Sequence, residues 1–534
     1  NIYSQDAYYP AKPVQLSEPT QIRGVDAVML GITPFQYNPV TKELIVYTDI
    51  EVEVSFEGGN GHYGTDRLRS RWWDPLLNDM MLNHEMLPEV GYPDTRKSAR
   101  ATGCEYLIIT PNDQIFQTWA DSIRKFRTMQ GILTDIVTLA EIGGNNAQMI
   151  ETYVNDAYET WDIPPAAVLL LGDYGSSANN SITSPVYDNY CVSDHLYADV
   201  TNNHQADIVF ARITAQDQSQ LENMVGKILS YERNPPMNPH YYLHPVTAMG
   251  WQTERWFQIC SETINGFWEH GLNKEPIREN AIYQGSPGGA WSSNQNTYMI
   301  VDYFGPNGLG YIPETTAHLN DWGGNAARVN ADINAGCFML QHRDHGGTTG
   351  WGEPDYDISD LAGLVNTDLP HIFSINCLTG KFNISGECFA EAFHRHDHGC
   401  LSITAASETS YSFVNDTYVW GMYDNMWTDF MPDYGTTPES RDIRPAFGNA
   451  AGKYFLEQSD WPYNTSNKEV TYYLFHHHGG AFSWIYSEMP EEVVADHLPF
   501  LIPGETTFTV TAEEGALIAI TVDGDIIGTG VGTG

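Results

Sequence analysis

The pattern of apolar and polar positions along the chain changes character several times. Residues 20–57 carry short apolar runs in partial period-two alternation, as at 44–47 and 52–56, which is typical of β-strands. From Glu105 onwards, short continuous apolar runs alternate with segments of helical spacing, as at 106–110 and 115–129. Strands that alternate with helices form a parallel sheet with crossovers. The sequence therefore predicts a small β-rich unit followed by an α/β region.

A second strand–helix series begins at about residue 281. It has core strands at 337–340, 372–375 and 401–404, and helices at 388–394 and 418–427. After Pro499 the pattern becomes all-β again, and an Asp523-Gly524 pair after the run 516–522 predicts a hairpin turn. We therefore expect four regions: a β-rich unit with a linker at 1–100, two α/β subdomains at 101–280 and 281–499, and a partial β module at 500–534.

The segment 93–103 has no apolar periodicity and carries three basic residues within five positions, Arg96, Lys97 and Arg100. Such a stretch is typical of an exposed linker. Two interpretations remain open at this point. It is either a plain connection between domains or a processing site for a peptidase that cuts after basic residues.

Charge narrows the classes of partner. The chain has 68 Asp and Glu residues against 26 Lys and Arg, which gives a formal net charge of −42. The negative electrostatic field of such a chain repels nucleic acids and anionic membranes.

No apolar run approaches the roughly 18 residues of a membrane span. Because the chain begins at Asn1 without a signal-peptide pattern, we expect a mature or trimmed product.

The candidate chemistry lies directly after two of the predicted core strands. The strand at 337–340 is followed by His345 and Gly346, and the strand at 372–375 is followed by Cys377. Reactive clefts of α/β sheets form at the carboxyl ends of strands, so the imidazole and the thiol are expected to face each other. A thiolate is a strong nucleophile, and an imidazole exchanges its proton with the leaving group. On spacing alone, the alternative is a buried cysteine that only packs.

Longer motifs surround these residues, and together they resemble the gingipain family of secreted cysteine peptidases, within the caspase-like clan. The histidine segment ends in a Trp351-Gly352 pair, and the cysteine segment leads into Cys-Phe-Ala-Glu-Ala-Phe. The segments that carry the resemblance are 345–352, 377–382, 388–393, 170–173 and 231–234, with 22–25 and 33–39 similar to the family's prodomain. The resemblance implies a caspase-like catalytic domain of two parallel-sheet subdomains. It also implies an N-terminal β-rich prodomain and the start of an immunoglobulin-like module.

The resemblance also implies roles for individual residues. Cys377 corresponds to the nucleophile, His345 to the proton carrier, and the backbone amides of Gly346 and Cys377 to the oxyanion hole. Substrate-contacting residues carried over from the family are Trp351 of the histidine loop, Phe413 as a wall of the specificity pocket, and Glu254 or Glu408 as the acid that selects a basic residue before the cleaved bond.

The chain departs from the family pattern in three respects. Asn376 stands before the nucleophile, where the family has a small residue. The acidic third member that orients the histidine in the family is not evident at the matching stretch 248–254. No Asp stands at 254–257, where the family's specificity acid is expected, and Glu254 is the candidate there. These departures leave open which residue orients the histidine and which residue the enzyme prefers before the cleaved bond.

Other clusters have two interpretations each. The histidines at 394–398 and 476–478 could bind zinc or fill structural positions, although consecutive residues on one strand point to opposite faces. The acidic loops at 194–207 and 355–360 could bind structural calcium or remain solvated. Cys388 and Cys400 form either a disulfide or two buried thiols. No cofactor is expected for catalysis.

The leading hypothesis is a secreted or bacterial cell-surface cysteine endopeptidase in zymogen form, which acts on protein or peptide substrates. Its own prodomain is expected to block the cleft until the linker at Arg96, Lys97 and Arg100 is cut. Two alternatives are kept: a sorting transpeptidase of the same family, and a non-catalytic binding or surface protein.

Overall fold

The computed structural model describes residues 2–55, 57, 64–87, 90–91, 102–282, 288–432, 443–505 and 507–534. Its N-terminal part contains two-stranded antiparallel ribbons, in which β1 pairs with β4, β2 with β3 and β5 with β6, and then a short helix. These elements are β1 (Val14–Leu16), β2 (Thr20–Ile22), β3 (Val25–Ala27), β4 (Leu30–Ile32), β5 (Phe35–Asn38), β6 (Glu43–Val46) and α1 (Asp74–Met80). The predicted β-rich N-terminal unit is confirmed.

Most of the remaining strands belong to one large sheet. Strands in residues 102–282 are β7 (Tyr106–Thr110), β8 (Thr134–Thr138), β9 (Ala167–Leu171), β10 (Val186–Tyr187), β11 (Cys191–Val192), β12 (Val209–Ile213), β13 (Val246–Met249) and β14 (Ile277–Asn280). Later strands are β15 (Met339–Arg343), β16 (Gly346–Gly347), β17 (Gly350–Trp351), β18 (Tyr356–Asp357), β19 (His371–Ile375), β20 (Ser402–Ala406), β21 (Phe475–His478), β22 (Ala495–His497), β23 (Val510–Ala512), β24 (Leu517–Val522) and β25 (Asp525–Val531).

Helices connect the strands of the sheet. They are α2 (Gln114–Met129), α3 (Leu139–Ile142), α4 (Ala147–Thr160), α5 (His195–Ala198), α6 (Gln218–Arg233), α7 (Pro239–Leu243), α8 (Phe257–His270), α9 (Thr297–Phe304), α10 (Ala326–Ala335), α11 (Phe389–Arg395), α12 (Val414–Met426), α13 (Pro445–Gln458) and α14 (Lys468–Leu474). Short 3-10 helices occupy Ile2–Ser4, Asp66–Leu68, His84–Met86, Thr316–His318, Ile358–Gly363 and Thr465–Asn467.

The ten-stranded sheet has the order β14-β13-β15-β19-β20-β21-β12-β9-β7-β8. The strands from β14 to β20 are parallel to one another, and so are those from β21 to β8, whereas β20 and β21 pair antiparallel. We call the group from β21 to β8 the first half and the group from β14 to β20 the second half. The predicted two parallel subdomains are therefore present, joined in one sheet. The strands β13 and β14 lie in the second half, although the predicted boundary at 280 assigned them to the first.

Local sequence explains these elements. Helix α2 begins after Asp113, whose carboxylate accepts a hydrogen bond from the Ile115 amide, and it buries Phe116, Ala120 and Ile123 on one face. The predicted helix at 115–129 is thus confirmed. The strand predicted at 337–340 is shifted to Met339–Arg343, because the buried residues continue through the polar side chains of β15. Charged residues inside a fully buried strand are not visible in an apolar pattern.

The C-terminal residues form two antiparallel ribbons, β22 with β23 and β24 with β25. Asp523 and Gly524 connect β24 to β25 with φ angles of 53° and 87°, a turn that requires residues tolerant of positive φ. The predicted hairpin is confirmed. The immunoglobulin-like completion of this module stays a prediction.

The N-terminal unit is anchored to the first half of the sheet. Trp73 donates its indole N–H to the carbonyl of Ala166, just before β9, at 2.9 Å. Trp72 donates to Glu105, just before β7, and Arg71 forms a two-pronged ion pair with the same carboxylate at 2.7 and 2.9 Å. The anchor therefore lies where strands of the first half begin.

Candidate active site

The histidine side of the site rests on a buried ion pair. Arg343, the last residue of β15, binds both carboxylate oxygens of Asp416 on α12 at 2.5 and 3.0 Å. Its guanidinium lies 4.3 Å from the ring centre of Phe257, and that ring in turn meets the His345 ring edge-to-face at 5.2 Å. Asp416, Arg343 and Phe257 thus support the imidazole in succession and hold it just beyond the strand end.

The cysteine side is held by a buried asparagine. Asn376, 1% exposed, donates its amide to His342 Nδ1 at 2.7 Å, and its Oδ1 accepts from the Thr379 hydroxyl at 2.6 Å. The chain then turns sharply at Leu378, which has a φ of 64°. This turn leaves Cys377 partly exposed, with Sγ 3.3 Å from the Ser410 amide. Asn376, which replaces the small residue expected from the family, therefore stabilises the end of β19 through its two hydrogen bonds.

The two sides meet because β15 and β19 are adjacent parallel strands. An ideal Cβ placed on Gly346 would lie 2.6 Å from Asn376 Oδ1 and 2.7 Å from the carbonyl oxygen of Cys377. No side chain fits at this position, so a glycine is required for the histidine loop to approach the cysteine loop. The loop that carries His345 therefore passes directly beside the loop that carries Cys377, at the carboxyl ends of β15 and β19.

An amide takes the position expected of an acidic third member. His345 Nε2 lies 2.8 Å from Gln252 Oε1, and the Gln252 amide nitrogen donates to Glu254 Oε1 at 2.5 Å. Both residues belong to the stretch 248–254, where only an acid was expected. A side-chain amide oxygen is also an acceptor, and that signal could have found Gln252.

The environment favours the neutral imidazole. Burial lowers the pKa of His345, and the positive charges of Arg343 and Arg255 lower it further, whereas Glu254 acts in the opposite direction. The preceding residue, Asp344, is 1% exposed, and burial raises its carboxyl pKa to about 7. A neutral imidazole is the form that accepts a proton from a thiol.

The structure corrects one predicted substrate contact. Trp351 is 4% exposed, stacks on His342 with ring centres 4.2 Å apart, and donates its indole N–H to Ser374 Oγ at 2.9 Å. Its ring packs against the core beneath the strand ends and is not available to a substrate. Trp351 therefore supports the core instead of lining the cleft.

The remaining predicted pocket residues contact other side chains of the protein. Phe413 has a φ of 71° and packs edge-to-face on Trp256 at 4.9 Å, so its role as a pocket wall stays a prediction. Glu254 binds Gln252, and Glu408 forms an ion pair with Lys381. Both candidate specificity acids are thus engaged with the protein itself.

The histidine clusters, the acidic loops and the Cys388/Cys400 pair were the candidates for metal binding and for a disulfide. Within the described ranges, no group of three or more His, Cys, Asp or Glu side chains is placed to hold a metal ion. The β21 histidines are buried, and burial lowers the pKa of His476 to about 4 and those of His477 and His478 to about 3. Cys388 and Cys400 are buried free thiols, so the thiol alternative is correct.

Two further predictions concern the linker and the membrane. Arg96, Lys97 and Arg100 lie outside the described residues, so their role in processing stays a prediction. In the part of the chain that the structure describes, no helix has the length and apolar character needed to cross a membrane.

The fold is an α/β sheet in which neighbouring strand ends carry a histidine loop and a cysteine loop, an arrangement suited to cysteine-dependent chemistry. The model of peptidase family C25 matches residues 99–438, and the C25 propeptide model matches residues 1–85. The chain belongs to peptidase family C25, and the predicted resemblance is confirmed.

Curated relatives are similar over nearly the whole chain. Gingipain R2 of Porphyromonas gingivalis (strain ATCC 33277) is 22% identical, with 99% of this chain and 66% of that protein covered. Lys-gingipain W83 of Porphyromonas gingivalis is 23% identical, with 99% and 29% covered. The chain therefore spans less than two thirds of the length of these relatives.

Solved structures show the same fold. The crystal structure of the Arg-specific cysteine proteinase gingipain R (RgpB) matches with a TM-score of 0.63 at 18% identity, covering 82% of this chain and 91% of that one. The complex of Porphyromonas gingivalis RgpB pro- and mature domains matches with a TM-score of 0.62 at 16% identity, covering 80% and 90%. The predicted α/β fold is thereby confirmed.

Proposed function

We propose that this protein is a cysteine endopeptidase whose nucleophile is Cys377 and whose proton carrier is His345. The observation that carries the proposal is the close approach of Gly346 to the Cys377 backbone, which joins the two loops at neighbouring strand ends. Membership of peptidase family C25 supports the same assignment.

The reaction follows from the chemistry of these groups. His345 takes the Cys377 proton, the thiolate attacks the substrate carbonyl carbon, and the amides of Gly346 and Cys377 donate to the developing oxyanion. The imidazolium protonates the leaving amine, which departs and leaves a thioester. Water then attacks the thioester while His345 accepts and returns a proton, which restores the thiol and releases a carboxylic acid product.

A zymogen arrangement is part of the proposal. Residues 1–85 match the C25 propeptide model, and their Trp73 and Arg71 contacts hold them to the first half of the sheet. These anchors lie on the opposite half from the reactive pair, so they do not by themselves plug the cleft as expected. We propose that the prodomain inhibits until the segment containing Arg96, Lys97 and Arg100 is cut.

Substrate class and location follow from the family. We propose protein or peptide substrates and action outside the cell or at a bacterial cell surface. Preference for a basic residue before the cleaved bond rests on the resemblance, because Glu254 and Glu408 are both engaged within the protein. Structural calcium and independence from a catalytic cofactor also stay predictions.

Selective alkylation and a matched pair of variants test the function. Cys377 is the partly exposed cysteine and the other six are buried, so iodoacetamide should add one label, at Cys377. After cleavage of the 92–101 segment with trypsin, Cys377→Ala should lose roughly 10⁴-fold or more of the peptidase rate. The control Cys191→Ala, which changes a buried thiol of the first half, should retain the rate.

Two outcomes would favour the alternatives. If an added amine nucleophile appears in most products, the protein is a transpeptidase. If Cys377 resists alkylation at neutral pH and the trypsin-treated chain cleaves no peptide, the non-catalytic alternative is correct.

A further inference from the structure

A chain of two hydrogen bonds connects an exposed carboxylate to the proposed proton carrier. Glu254 Oε1 accepts from the Gln252 amide nitrogen at 2.5 Å, and Gln252 Oε1 lies 2.8 Å from His345 Nε2. Gln252 is 8% exposed, whereas Glu254 is exposed. We propose that Gln252 and Glu254 are positioning residues that fix the orientation and tautomer of His345. This inference rests on the proposed function of His345.

The donor and acceptor inventory fixes the direction of each bond. An ionised carboxylate only accepts, so the group that Gln252 turns towards Glu254 is its NH₂. The Gln252 oxygen therefore faces His345, and an oxygen accepts from an N–H. His345 Nε2 thus carries the hydrogen, and Nδ1 keeps the lone pair that takes a proton from a thiol.

Glu254 matters because Gln252 alone has no preferred orientation. An amide can rotate by 180° about its last torsion and exchange its oxygen for its nitrogen. With the nitrogen facing His345, the imidazole would adopt the opposite tautomer, with its hydrogen at Nδ1. Binding of the Gln252 nitrogen by the carboxylate removes that alternative.

A neutral amide also sets the charge balance around the imidazole. The charged and titratable groups near His345 are those of its own loop, of the 252–255 loop and of the facing cysteine loop: Arg343, Asp344, His342, Glu254, Arg255 and Cys377. Two arginines oppose protonation and one exposed glutamate favours it. Because Gln252 adds no charge, the imidazolium receives less stabilisation than it would from a directly bonded carboxylate.

Four variants separate positioning from structure. Gln252→Ala removes the acceptor, Gln252→Glu places a charge on it, and Glu254→Gln removes the carboxylate that orients the amide. Thr253→Ala, an exposed neighbour, is the matched control. The measurements are the pH dependence of Cys377 alkylation by iodoacetamide in the full chain, and kcat and KM of the trypsin-treated chain.

The expected results differ between variants. Gln252→Ala lowers kcat by roughly 10- to 100-fold with KM within about twofold, since it impairs proton transfer alone. Gln252→Glu stabilises the imidazolium, so the acidic limb of the alkylation profile moves to lower pH by about one unit. Glu254→Gln, an exposed change that preserves the fold, lowers kcat by roughly 3- to 10-fold.

Specific results would overturn the proposal. If Gln252→Ala and Glu254→Gln both keep kcat within twofold of the Thr253→Ala control, the two residues do not position His345. An unchanged alkylation profile in Gln252→Glu leads to the same conclusion. Failure of wild-type Cys377 to react would instead refute the proposed function, so the two failures are distinguishable.

Discussion

The two halves of the sheet share a topology but differ in how their strand ends are used. In the first half, Arg212 near the end of β12 binds both oxygens of Asp194 at 2.8 Å and the carbonyls of Gly172 and Ile182 at 3.1 Å. In the second half, Arg343 forms a similar fork with Asp416 at the end of β15. Both arginines are buried with their carboxylates.

The difference lies in the residues that come after each ion pair. Around Arg212 the carboxylate, a serine hydroxyl and backbone carbonyls satisfy the guanidinium, so the strand end is closed by packing. Beyond Arg343 the chain continues into the loop of His345, and the neighbouring strand delivers the partly exposed Cys377. A parallel sheet places strand ends together, but only a glycine and short polar side chains leave room for a reactive pair. The same architecture is therefore a scaffold in the first half and, in our proposal, carries the reactive residues in the second.

Breaking each ion pair gives the largest expected effects. Asp194→Asn and Asp416→Asn each leave a buried guanidinium without its countercharge, so each should lower the free energy of unfolding by about 3–5 kcal/mol. Urea unfolding followed by fluorescence measures this. Only Asp416→Asn should also slow Cys377 alkylation, because Arg343 supports Phe257 and thus His345. Equal effects of the two variants on alkylation would refute the distinction between the halves.

Much of this fold can be predicted from sequence, for reasons visible in particular strands. Strands β9 and β19 are fully buried and mostly apolar, and each is followed within two positions by a polar residue, Asp173 or Asn376, so both strands are visible in the apolar pattern. The residues after them could be assigned to a cleft because strand order places carboxyl ends together. The bounds of β15 could not be predicted, because its polar residues are buried through distant contacts, and the partner of Arg343, Asp416, lies 73 positions away.

The site was predictable only in part. Cys377 and His345 carry a motif, but Trp351 belongs to the same motif and serves the core. A motif records which residues occur together and not which of them face solvent. Gln252 was missed because only a carboxylate was expected in the stretch 248–254, whereas an amide oxygen can accept the same hydrogen bond from His345.

A buried arginine of the N-terminal unit also contacts the first half of the sheet. Arg23 is fully buried and donates to the carbonyls of Leu68, Pro164, Pro165 and Asp207, at distances from 2.7 to 3.1 Å. Arg23→Met should cost about 2–3 kcal/mol of docking free energy, since these acceptors lose their donor. Hydrogen exchange of residues 65–77 in the full chain should rise by roughly 30-fold or more.

A matched variant serves as the control for that measurement. Arg67 is less buried and donates to the last carbonyls of α4, so Arg67→Met should raise the same exchange rates by less. Alkylation of Cys377 should stay within twofold in both variants if the anchor and the site belong to different halves. A large change in alkylation would show that the prodomain anchor reaches the cleft.

The smallest expected effect comes from two buried carboxyls, one in each half. Burial raises the pKa of Asp344, next to His345, to about 7 and that of Asp207, beneath the prodomain, to about 6, from 3.8. The folded chain therefore keeps protons that the unfolded chain releases, and stability from each group is complete below pH 3.8 and lost as the pH rises through the folded value. Asparagine cannot ionise and escapes this loss. At pH 8 relative to pH 4, Asp344→Asn should gain about 1–2 kcal/mol over the wild type, after allowance for local relaxation.

Asp207→Asn should gain less, because the carboxylate already accepts hydrogen bonds from the Thr201 amide at 2.8 Å and hydroxyl at 3.0 Å. Those bonds stabilise the ionised form, and asparagine can replace them only in part. Urea unfolding of both variants at the two pH values measures the difference. A gain for Asp207→Asn that equals or exceeds the gain for Asp344→Asn would show that the reactive half is no more strained electrostatically than the scaffold half. The expected order would instead show that the strand end that carries the histidine is maintained at a measurable cost in stability above neutral pH.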